Sequence, residues 1–236
     1  DLFLTRGQIV GYDVLLPLAR GRPSQPFQGA SPRPLGISGP FRYPGIMTVD
    51  DQPQAEAPVE QSDVLFSASR FRVVRQVQVT PDGQEHIRQT IEHPGAVAIL
   101  PFVDAQRICL IRNYRVAVGQ ELIELPAGTL EPGEDPAQTA ARELIEETGY
   151  RAGRIELLTS FYTSPGILDE RMYLYLATAL EPGPQALEPG EQIETWIVPW
   201  DDALAMARDG RIRDAKTLVG LLYGDRFLRQ IESTHR

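Results

Sequence analysis

Apolar and polar residues alternate along the chain from about Phe66 onward, a pattern that predicts β-strands. The first clear alternating run covers residues 71–79, and a second follows at 85–91. The turn Thr80-Pro81-Asp82-Gly83 lies between them. Two alternating runs joined by a glycine-containing turn are typical of an antiparallel hairpin. The sequence therefore predicts a β-hairpin region over residues 61–94.

Strand and helix patterns alternate over residues 95–236. The predicted strands cover residues 97–102, 107–112, 155–158, 172–178 and 194–198, and the predicted helices cover 136–148, 200–209 and 214–231. Strands with interspersed helices over this length indicate an α/β (α+β) domain in which a mixed β-sheet packs between helices.

The first 60 residues have a different composition. They hold nine of the 20 prolines, interleaved with Gly, Ser and Gln, so no regular pattern persists and the segment is predicted to be disordered. We interpret residues 1–46 as upstream sequence or a dispensable leader, because Met47 opens a stretch that resembles an ordinary acidic N-terminus. The competing interpretation is a targeting arm.

The net charge of −9 argues against general binding to the phosphates of nucleic acids, and it favours a divalent cation as a partner. The single cysteine, Cys109, excludes an intrachain disulfide and fits a reducing compartment. No run of apolar residues is long enough to predict a membrane span, and no signal peptide is recognisable. A cytoplasmic protein without membrane or nucleic-acid partners is predicted.

The helix at 136–148 carries the candidate chemistry. Asp135 is a suitable N-cap, Pro136 suits the first helical position, and Gly149 is a suitable C-terminal stop. One side of this helix is predicted to be buried through Ala137, Ala140, Ala141, Leu144, Ile145 and Thr148, while the other side carries Glu143, Glu146 and Glu147. Three clustered carboxylates favour either a solvated surface or a bound Mg²⁺ or Mn²⁺.

The residues around this helix resemble the Nudix box. Gly128 is followed after five residues by Glu134 and, after seven more, by Arg-Glu-Leu-Ile-Glu-Glu-Thr-Gly-Tyr at 142–150. The resemblance implies an α/β/α sandwich that binds Mg²⁺, with Mn²⁺ as a substitute, and cleaves a nucleoside diphosphate linked to another group. It implies Glu143 and Glu147 as principal metal ligands, with Glu146 alongside and the Ala127 carbonyl as a backbone ligand. Arg142 would orient the glutamates, and Glu134 would either bind metal through water or hold the loop.

Further segments resemble the ADP-ribose pyrophosphatase branch of the Nudix family. They are Glu92-His93-Pro94-Gly95-Ala96-Val97, Asn113-Tyr114-Arg115, Glu124-Leu125-Pro126-Ala127-Gly128, and Ser164-Pro165-Gly166 followed by Glu170. The activity implied is hydrolysis of ADP-ribose to AMP and ribose 5-phosphate. Two alternatives stay open: hydrolysis of another nucleoside diphosphate sugar, such as ADP-glucose or GDP-mannose, and a non-catalytic module that binds ADP-ribose.

The same resemblance implies roles outside the box. Arg115 would contact the diphosphate, Glu170 the substrate near a ribose, and Phe71 would stack on adenine, while Pro165 occupies the marker position of this branch. Arg88 would reach the site of the partner subunit in a homodimer built through the hairpin region. For Arg88 and Phe71 the alternative is an ordinary sheet-surface or core residue. The general base would be Glu191, with Glu188 as the second choice.

Overall fold

The structure is a computed structural model that describes residues 62–228, and the predicted leader over residues 1–60 lies outside this range. Along the described chain the elements are β1 Ser62–Ser67, β2 Arg72–Val79, β3 Glu85–Glu92, β4 Ala96–Pro101, β5 Arg107–Arg115, β6 Gln120–Glu124, β7 Ala127–Thr129, α1 Pro136–Thr148, β8 Tyr150–Tyr162, β9 Arg171–Pro182, β10 Ile193–Pro199, α2 Trp200–Arg208 and α3 Ala215–Tyr223. A 3-10 turn, Val116–Val118, joins β5 to β6, and a π-helical turn, Gly224–Leu228, follows α3.

The N-terminal sheet is antiparallel, in the order β1-β2-β3. Its tight connection between β2 and β3 uses Gly83 at φ +81°, a left-handed conformation that favours glycine. Thr80 closes the turn by accepting a hydrogen bond from the Gly83 N–H at 2.8 Å. The end of β3 is attached to a later loop, since the Ile91 N–H donates to the Ile167 carbonyl at 2.8 Å. The predicted hairpin is thus present and has gained β1 as a third strand.

The central sheet has the order β7-β4-β9-β8, and it is mixed because β4 and β9 run parallel while their outer neighbours are antiparallel. Every residue of β4 is buried, as expected for a strand covered on both faces. Successive side chains point to opposite faces. Val97 and Ile99 pack with Leu144 of α1, whereas Ala98 and Leu100 pack in the larger core with α2 and α3. The sheet therefore lies between helices on both faces.

The remaining strands form a separate antiparallel sheet in the order β10-β5-β6. It brings the C-terminal end of β5 and the start of the connection after β6 close to α3. The Leu125 N–H donates to the Thr217 hydroxyl at 2.8 Å, which joins that connection to the first turn of α3. This contact places Arg115, Glu124 and Lys216 in one region.

The α/β/α sandwich with a mixed sheet and a preceding antiparallel region is confirmed. α1 begins and ends at the predicted residues, but the predicted third helix divides at Gly224 into α3 and the π-helical turn. β6 and β7 were absent from the prediction. In the described part of the chain, no helix has the length and apolar character needed to cross a membrane.

Candidate active site

α1 is fixed at both ends by its cap residues. The Asp135 carboxylate accepts the N–H groups of Ala137 at 2.7 Å and Gln138 at 3.4 Å. At the other end Gly149 takes φ +74° and its N–H donates to the Ile145 carbonyl at 2.8 Å. These interactions satisfy backbone groups that a helix leaves unpaired at its termini. The carboxylates of α1 are therefore presented from a well-anchored helix.

Two glycines of the motif serve different physical needs. A Cβ on Gly128 would lie only 1.9 Å from Cδ of Glu143, so the absence of a side chain makes room for that carboxylate against β7. Gly133 has no neighbour within 4 Å of such a Cβ, but its φ of +78° is unfavourable for other residues. Gly128 accommodates the carboxylate, and Gly133 accommodates the turn that precedes α1.

Glu147 is buried, although the sequence placed it on the side of the helix opposite the predicted buried side, and Ala137 is exposed rather than buried. The helix is rotated so that its buried side includes Thr139, Ala140, Leu144 and Thr148 together with Glu147. The Glu147 Oε2 atom accepts the Ala127 N–H at 2.8 Å. This bond connects α1 to β7.

Burial raises the pKa of Glu147 to about 8, and the negative charges of Glu143 and Glu191 add to the rise. Burial also raises the pKa of Glu143, where the charges of Glu146 and Glu191 again oppose ionisation. The Ala127 N–H and Arg115 lower the pKa of Glu147, but they do not offset burial. Neighbouring carboxylates in a poorly hydrated site thus lack full compensation by positive charge.

Arg142 holds a second group of carboxylates. Its guanidinium donates to Glu134 through Nε and Nη2, both at 3.1 Å, and through Nη1 to Glu143 at 2.8 Å and Glu146 at 3.0 Å. The hydrogen bonds that Glu134 accepts lower its pKa to about 2, and the bond from Arg142 is the main cause. Glu134 also accepts the Glu131 N–H at 3.2 Å, which ties the preceding loop to Arg142. Arg142 therefore contacts the glutamates that the sequence expected it to orient.

A group of four charged residues from β5, β6 and the start of α3 adjoins the cleft. Arg115 donates from Nε to Glu124 Oε1 at 2.8 Å and from Nη2 to Glu124 Oε2 at 2.6 Å. Lys216 Nζ lies 2.5 Å from the same Oε2 atom and 3.0 Å from Asp214 Oδ1. Glu124 is fully buried, and its pKa is lowered because the hydrogen bonds and charges of Arg115 and Lys216 outweigh the effect of burial. We call these four residues the Arg115–Lys216 cluster.

The cleft between these groups has a volume of about 1120 Å³. Among the predicted site residues it is lined by Phe71, Arg115, Ala127, Glu143, Glu147, Glu170, Glu188 and Glu191. Glu146, Arg88 and Pro165 are not among the lining residues. Arg88 is exposed on β3, where its Nε donates to the Gln78 side chain at 3.2 Å, and the Glu146 carboxylate faces Arg142.

Glu170 is held in place on the wall of the cleft. Its Oε2 accepts the Thr163 hydroxyl at 2.6 Å, and its Oε1 lies 3.5 Å from Nδ1 of His93. The same histidine accepts the Gly95 N–H through Nδ1 at 3.2 Å, and its own backbone N–H donates to Asp169 at 2.7 Å. Sequence reasoning gave His93 no task, because its contacts join residues far apart in the chain.

The loop that carries Glu188 and Glu191 is attached to the C-terminal end of α1. The Ala186 N–H donates to the Glu146 carbonyl at 3.0 Å, and the Gln185 side-chain amide donates to the Glu147 carbonyl at 2.5 Å. A Cβ on Gly149 would lie 2.3 Å from the Gly183 carbonyl, so the loop approaches the helix closely. The loop is therefore built directly on the helix that carries the buried carboxylates.

The charge of the cleft suits a cation. Its lining includes nine Asp or Glu and five Arg or Lys side chains, an excess of negative charge that would repel a diphosphate. Within residues 62–228 no three acidic, His or Cys side chains form a ready cluster for a metal ion, and Arg142 and the Ala127 N–H engage the Glu143 and Glu147 carboxylates. The donor chemistry nevertheless fits, because Glu143 and Glu147 offer hard oxygen atoms whose charges are incompletely balanced.

Comparison with known proteins establishes the family. The NUDIX domain model matches residues 92–219, more than half of the chain, and the protein belongs to this family. The matched range begins at the end of β3 and ends in α3, so it includes α1, the Arg115–Lys216 cluster and the cleft lining apart from residues 68–72.

Individual relatives cover most of the described chain. A protein named methanol dehydrogenase activator from Bacillus methanolicus is 41% identical over 165 residues, covering 69% of this chain and 89% of that protein. ADP-ribose pyrophosphatase from Bacillus subtilis is 39% identical over 145 residues, covering 61% and 78%. The crystal structure of an ADP compounds hydrolase shares the fold, with a TM-score of 0.65 at 22% identity, covering 74% of this chain and 95% of the other.

Proposed function

We propose that this protein hydrolyses ADP-ribose to AMP and ribose 5-phosphate in a reaction that requires Mg²⁺ or, as a substitute, Mn²⁺. The observation that carries the proposal is the cleft between the incompletely compensated carboxylates of α1 and the guanidinium of Arg115. The similarity to ADP-ribose pyrophosphatase from Bacillus subtilis supports this substrate class. An acidic cleft in which part of the Arg115 guanidinium stays exposed favours a substrate that arrives together with a divalent cation.

Glu143 and Glu147 would hold the metal, with Glu146 and the Ala127 carbonyl as further ligands. When bound, a hard divalent cation offsets phosphate charge and lowers the pKa of coordinated water. Arg142 keeps the Glu143 carboxylate over Gly128, where the missing side chain gives it room. Arg115 would bind a phosphate oxygen through the part of its guanidinium that faces the cleft.

The adenine and ribose groups of the substrate would be recognised by other residues that line the cleft. Phe71, which lies in contact with Phe66 at a ring separation of 6.2 Å, would stack on adenine. Glu170, fixed by Thr163, would accept hydrogen bonds from a ribose hydroxyl. Pro165 belongs to the loop that precedes Glu170, and we assign it a role in the shape of that loop.

We propose Glu191 as the general base. Its charge contributes to the raised pKa of both Glu143 and Glu147, which requires its carboxylate to lie near them. Glu188 instead points toward Arg70, with 3.8 Å between the charged atoms. Glu191→Gln is expected to lower kcat about 100-fold and Glu188→Gln less than about 3-fold, measured at saturating ADP-ribose. The reverse order would assign the role to Glu188, and equal mild losses would exclude both.

The active form is proposed to be a homodimer assembled through the N-terminal sheet. Val64, Phe66 and Ile87 of this sheet are large apolar residues with more than half of their surface exposed. A small sheet with such exposed apolar residues gains stability by packing on another surface. Arg88 would then reach the cleft of the partner. A monomer by light scattering, with full activity at the same concentration, would contradict this assembly.

The cytoplasmic location stays a prediction from the sequence.

The primary test of function is a substrate panel with purified protein. ADP-ribose, ADP-glucose and GDP-mannose are incubated with Mg²⁺, with Mn²⁺ and with EDTA, and products are identified by chromatography. We expect AMP and ribose 5-phosphate from ADP-ribose, with the highest kcat/KM of the panel and no product in EDTA. Preference for another sugar nucleotide would change the substrate. Binding of ADP-ribose without turnover under every metal condition would indicate a binding module.

A further inference from the structure

Lys216 is the only lysine in the chain, whereas the other 22 basic residues are arginines. This lysine is also buried, with 9% of its surface exposed, and it lines the cleft. A compact ammonium and a planar guanidinium are not interchangeable in a buried ion pair, because they differ in size and in the arrangement of their donors. The one lysine among these basic residues therefore lies in a buried ion pair, where the size and donor arrangement of the cation affect the contacts.

The position of Lys216 is determined by the first turn of α3. Asp214 is the N-cap of this helix and accepts the Thr217 N–H at 3.0 Å through Oδ2. Its other oxygen, Oδ1, lies 3.0 Å from Lys216 Nζ. One carboxylate thus caps the helix and holds the ammonium, which points toward Glu124.

Glu124 is the residue through which Lys216 affects Arg115. Both Glu124 oxygens accept hydrogen bonds from Arg115, and Oε2 also accepts one from Lys216. The pair with Arg115 uses Nε and Nη2, which leaves the Nη1 side of the guanidinium outside this interaction. Without Lys216 the charge of Glu124 would be balanced by Arg115 alone, and the positive potential that Arg115 offers to the cleft would decrease.

We propose that Lys216 is a positioning residue for the substrate diphosphate, acting through Glu124 to fix the orientation of Arg115 and preserve its charge for a phosphate. The inference rests on the proposed function in that it assumes Arg115 binds the diphosphate. It requires no contact between Lys216 and the substrate. Glu124 is fully buried and Asp214 is partly buried, and the contacts run from Asp214 through Lys216 and Glu124 to Arg115, whose partly exposed guanidinium lines the cleft.

The single lysine permits a direct test in the wild-type protein. Protein labelled with ¹³C-lysine gives one lysine side-chain signal set, which reports on Lys216 alone. Inorganic pyrophosphate is titrated in the presence of Mg²⁺, and calorimetry establishes saturation. In the wild-type protein we expect a saturable shift of the Lys216 signals. In Arg115→Gln the shift should be absent, or its midpoint should require at least about 10-fold more ligand. No shift at saturation would overturn the proposal.

Kinetics of substituted proteins provide the second test. Lys216→Met removes the ammonium and keeps a long apolar stem. We expect a fall of about 10- to 100-fold in kcat/KM for ADP-ribose, mostly through KM, because the guanidinium loses its fixed orientation. In the Arg115→Gln background the same change should cost less than about 3-fold. An equal loss in both backgrounds would contradict an action through Arg115.

Arg213→Met is the matched control. Arg213 lies two residues before the start of α3, outside the cleft lining, and donates to the Gln120 side chain at 2.9 Å. Its loss should leave kcat/KM within about 2-fold of wild type. If Lys216→Met only lowers the folded fraction and leaves KM unchanged, Lys216 is merely structural. If wild type fails to hydrolyse ADP-ribose but pyrophosphate shifts the lysine signals, the proposed function fails and the positioning role persists.

Discussion

Glu124 and Glu147 are both buried glutamates beside one cleft, but their surroundings differ. Glu124 accepts hydrogen bonds from two cations, and its pKa is lowered although it is fully buried. Glu147 accepts one backbone N–H and has carboxylates nearby, and its pKa rises to about 8. Burial is therefore similar at the two positions, whereas charge compensation is not.

The comparison indicates that Glu124 stabilises the folded protein, whereas the charge of Glu147 is balanced only when a ligand binds. A buried charge is tolerated when hydrogen-bonded partners balance it, as in the Arg115–Lys216 cluster. A buried charge without such partners destabilises the protein until a proton or a cation binds. On this basis, replacement of Glu124 should mainly reduce stability, and replacement of Glu147 should mainly reduce activity.

The largest expected effect is the loss of activity in Glu147→Gln. The change removes the charge that is proposed to bind the metal and keeps an oxygen that can accept the Ala127 N–H, so the fold should persist. We expect the rate of ADP-ribose hydrolysis to fall about 1000-fold or more. The exposed residue Glu121 provides the control, since Glu121→Gln should retain full activity. A near-normal rate in Glu147→Gln would remove Glu147 from the mechanism.

Glu124→Gln should lower the free energy of unfolding by about 3 kcal/mol, because Arg115 and Lys216 would keep their charges with only Asp214 to balance them. Wild type gains stability from the lowered pKa of Glu124 above the ordinary pKa of 4.5, and loses it as the pH falls through the folded-state value. Urea unfolding at pH 7 and pH 4 should show a smaller difference between variant and wild type at pH 4. An equal difference at both pH values would contradict this account.

Glu147→Gln should have the opposite effect on stability when metal is removed. The folded-state pKa of Glu147 is about 8 against an ordinary value of 4.5, so the folded protein binds the proton more tightly. Stability in EDTA should consequently fall as the pH rises from 4.5 to 8, and the variant should lose this dependence. At pH 8 in EDTA we expect the variant to be more stable by about 2 kcal/mol, measured by urea unfolding. A less stable variant would mean that Glu147 is already compensated.

The smallest expected effects distinguish the two motif glycines. In Gly128→Ala the new methyl group would displace the Glu143 carboxylate, so the Mg²⁺ concentration for half-maximal rate should rise about 10-fold. In Gly133→Ala the unfavourable φ should cost about 1 kcal/mol of stability with little change in Mg²⁺ requirement. Metal titrations combined with thermal unfolding would separate the two results. Similar metal requirements in both variants would contradict the steric role of Gly128.

The elements predicted best were those with local signals. α1 carries its own N-cap, proline and C-terminal glycine, and its bounds follow from these residues alone. β4 was recognisable as a continuous apolar run because it is buried on both faces. β7 has only three residues, Ala127–Thr129, and its strand conformation depends on pairing with β4 rather than on its own sequence. The end of α3 was missed because Gly224 continues as a π-helical turn without a terminating glycine conformation.

The candidate site was predicted where spacing along one helix determines proximity. Glu143 and Glu147 are four residues apart, so their closeness follows from helical geometry. The burial of Glu147 depends on packing of α1 against β7, which the periodic pattern did not reveal. The contact of Lys216 with Glu124 joins residues 92 positions apart, and no local pattern encodes it. Its only sequence signal was the unique lysine.

The loop of residues 183–192, which carries Glu191, is attached to the C-terminal end of α1 and should move together with this helix. Gln185 and Ala186 cap carbonyls of the helix, and Gly149 admits the loop to van der Waals distance. If α1 tilts when the substrate enters, the first part of the loop should move with it. The distance between Glu191 and the carboxylates of α1 would then change little, even though all of these groups move. The proposed general base and the proposed metal ligands would thereby keep their alignment when the helix moves.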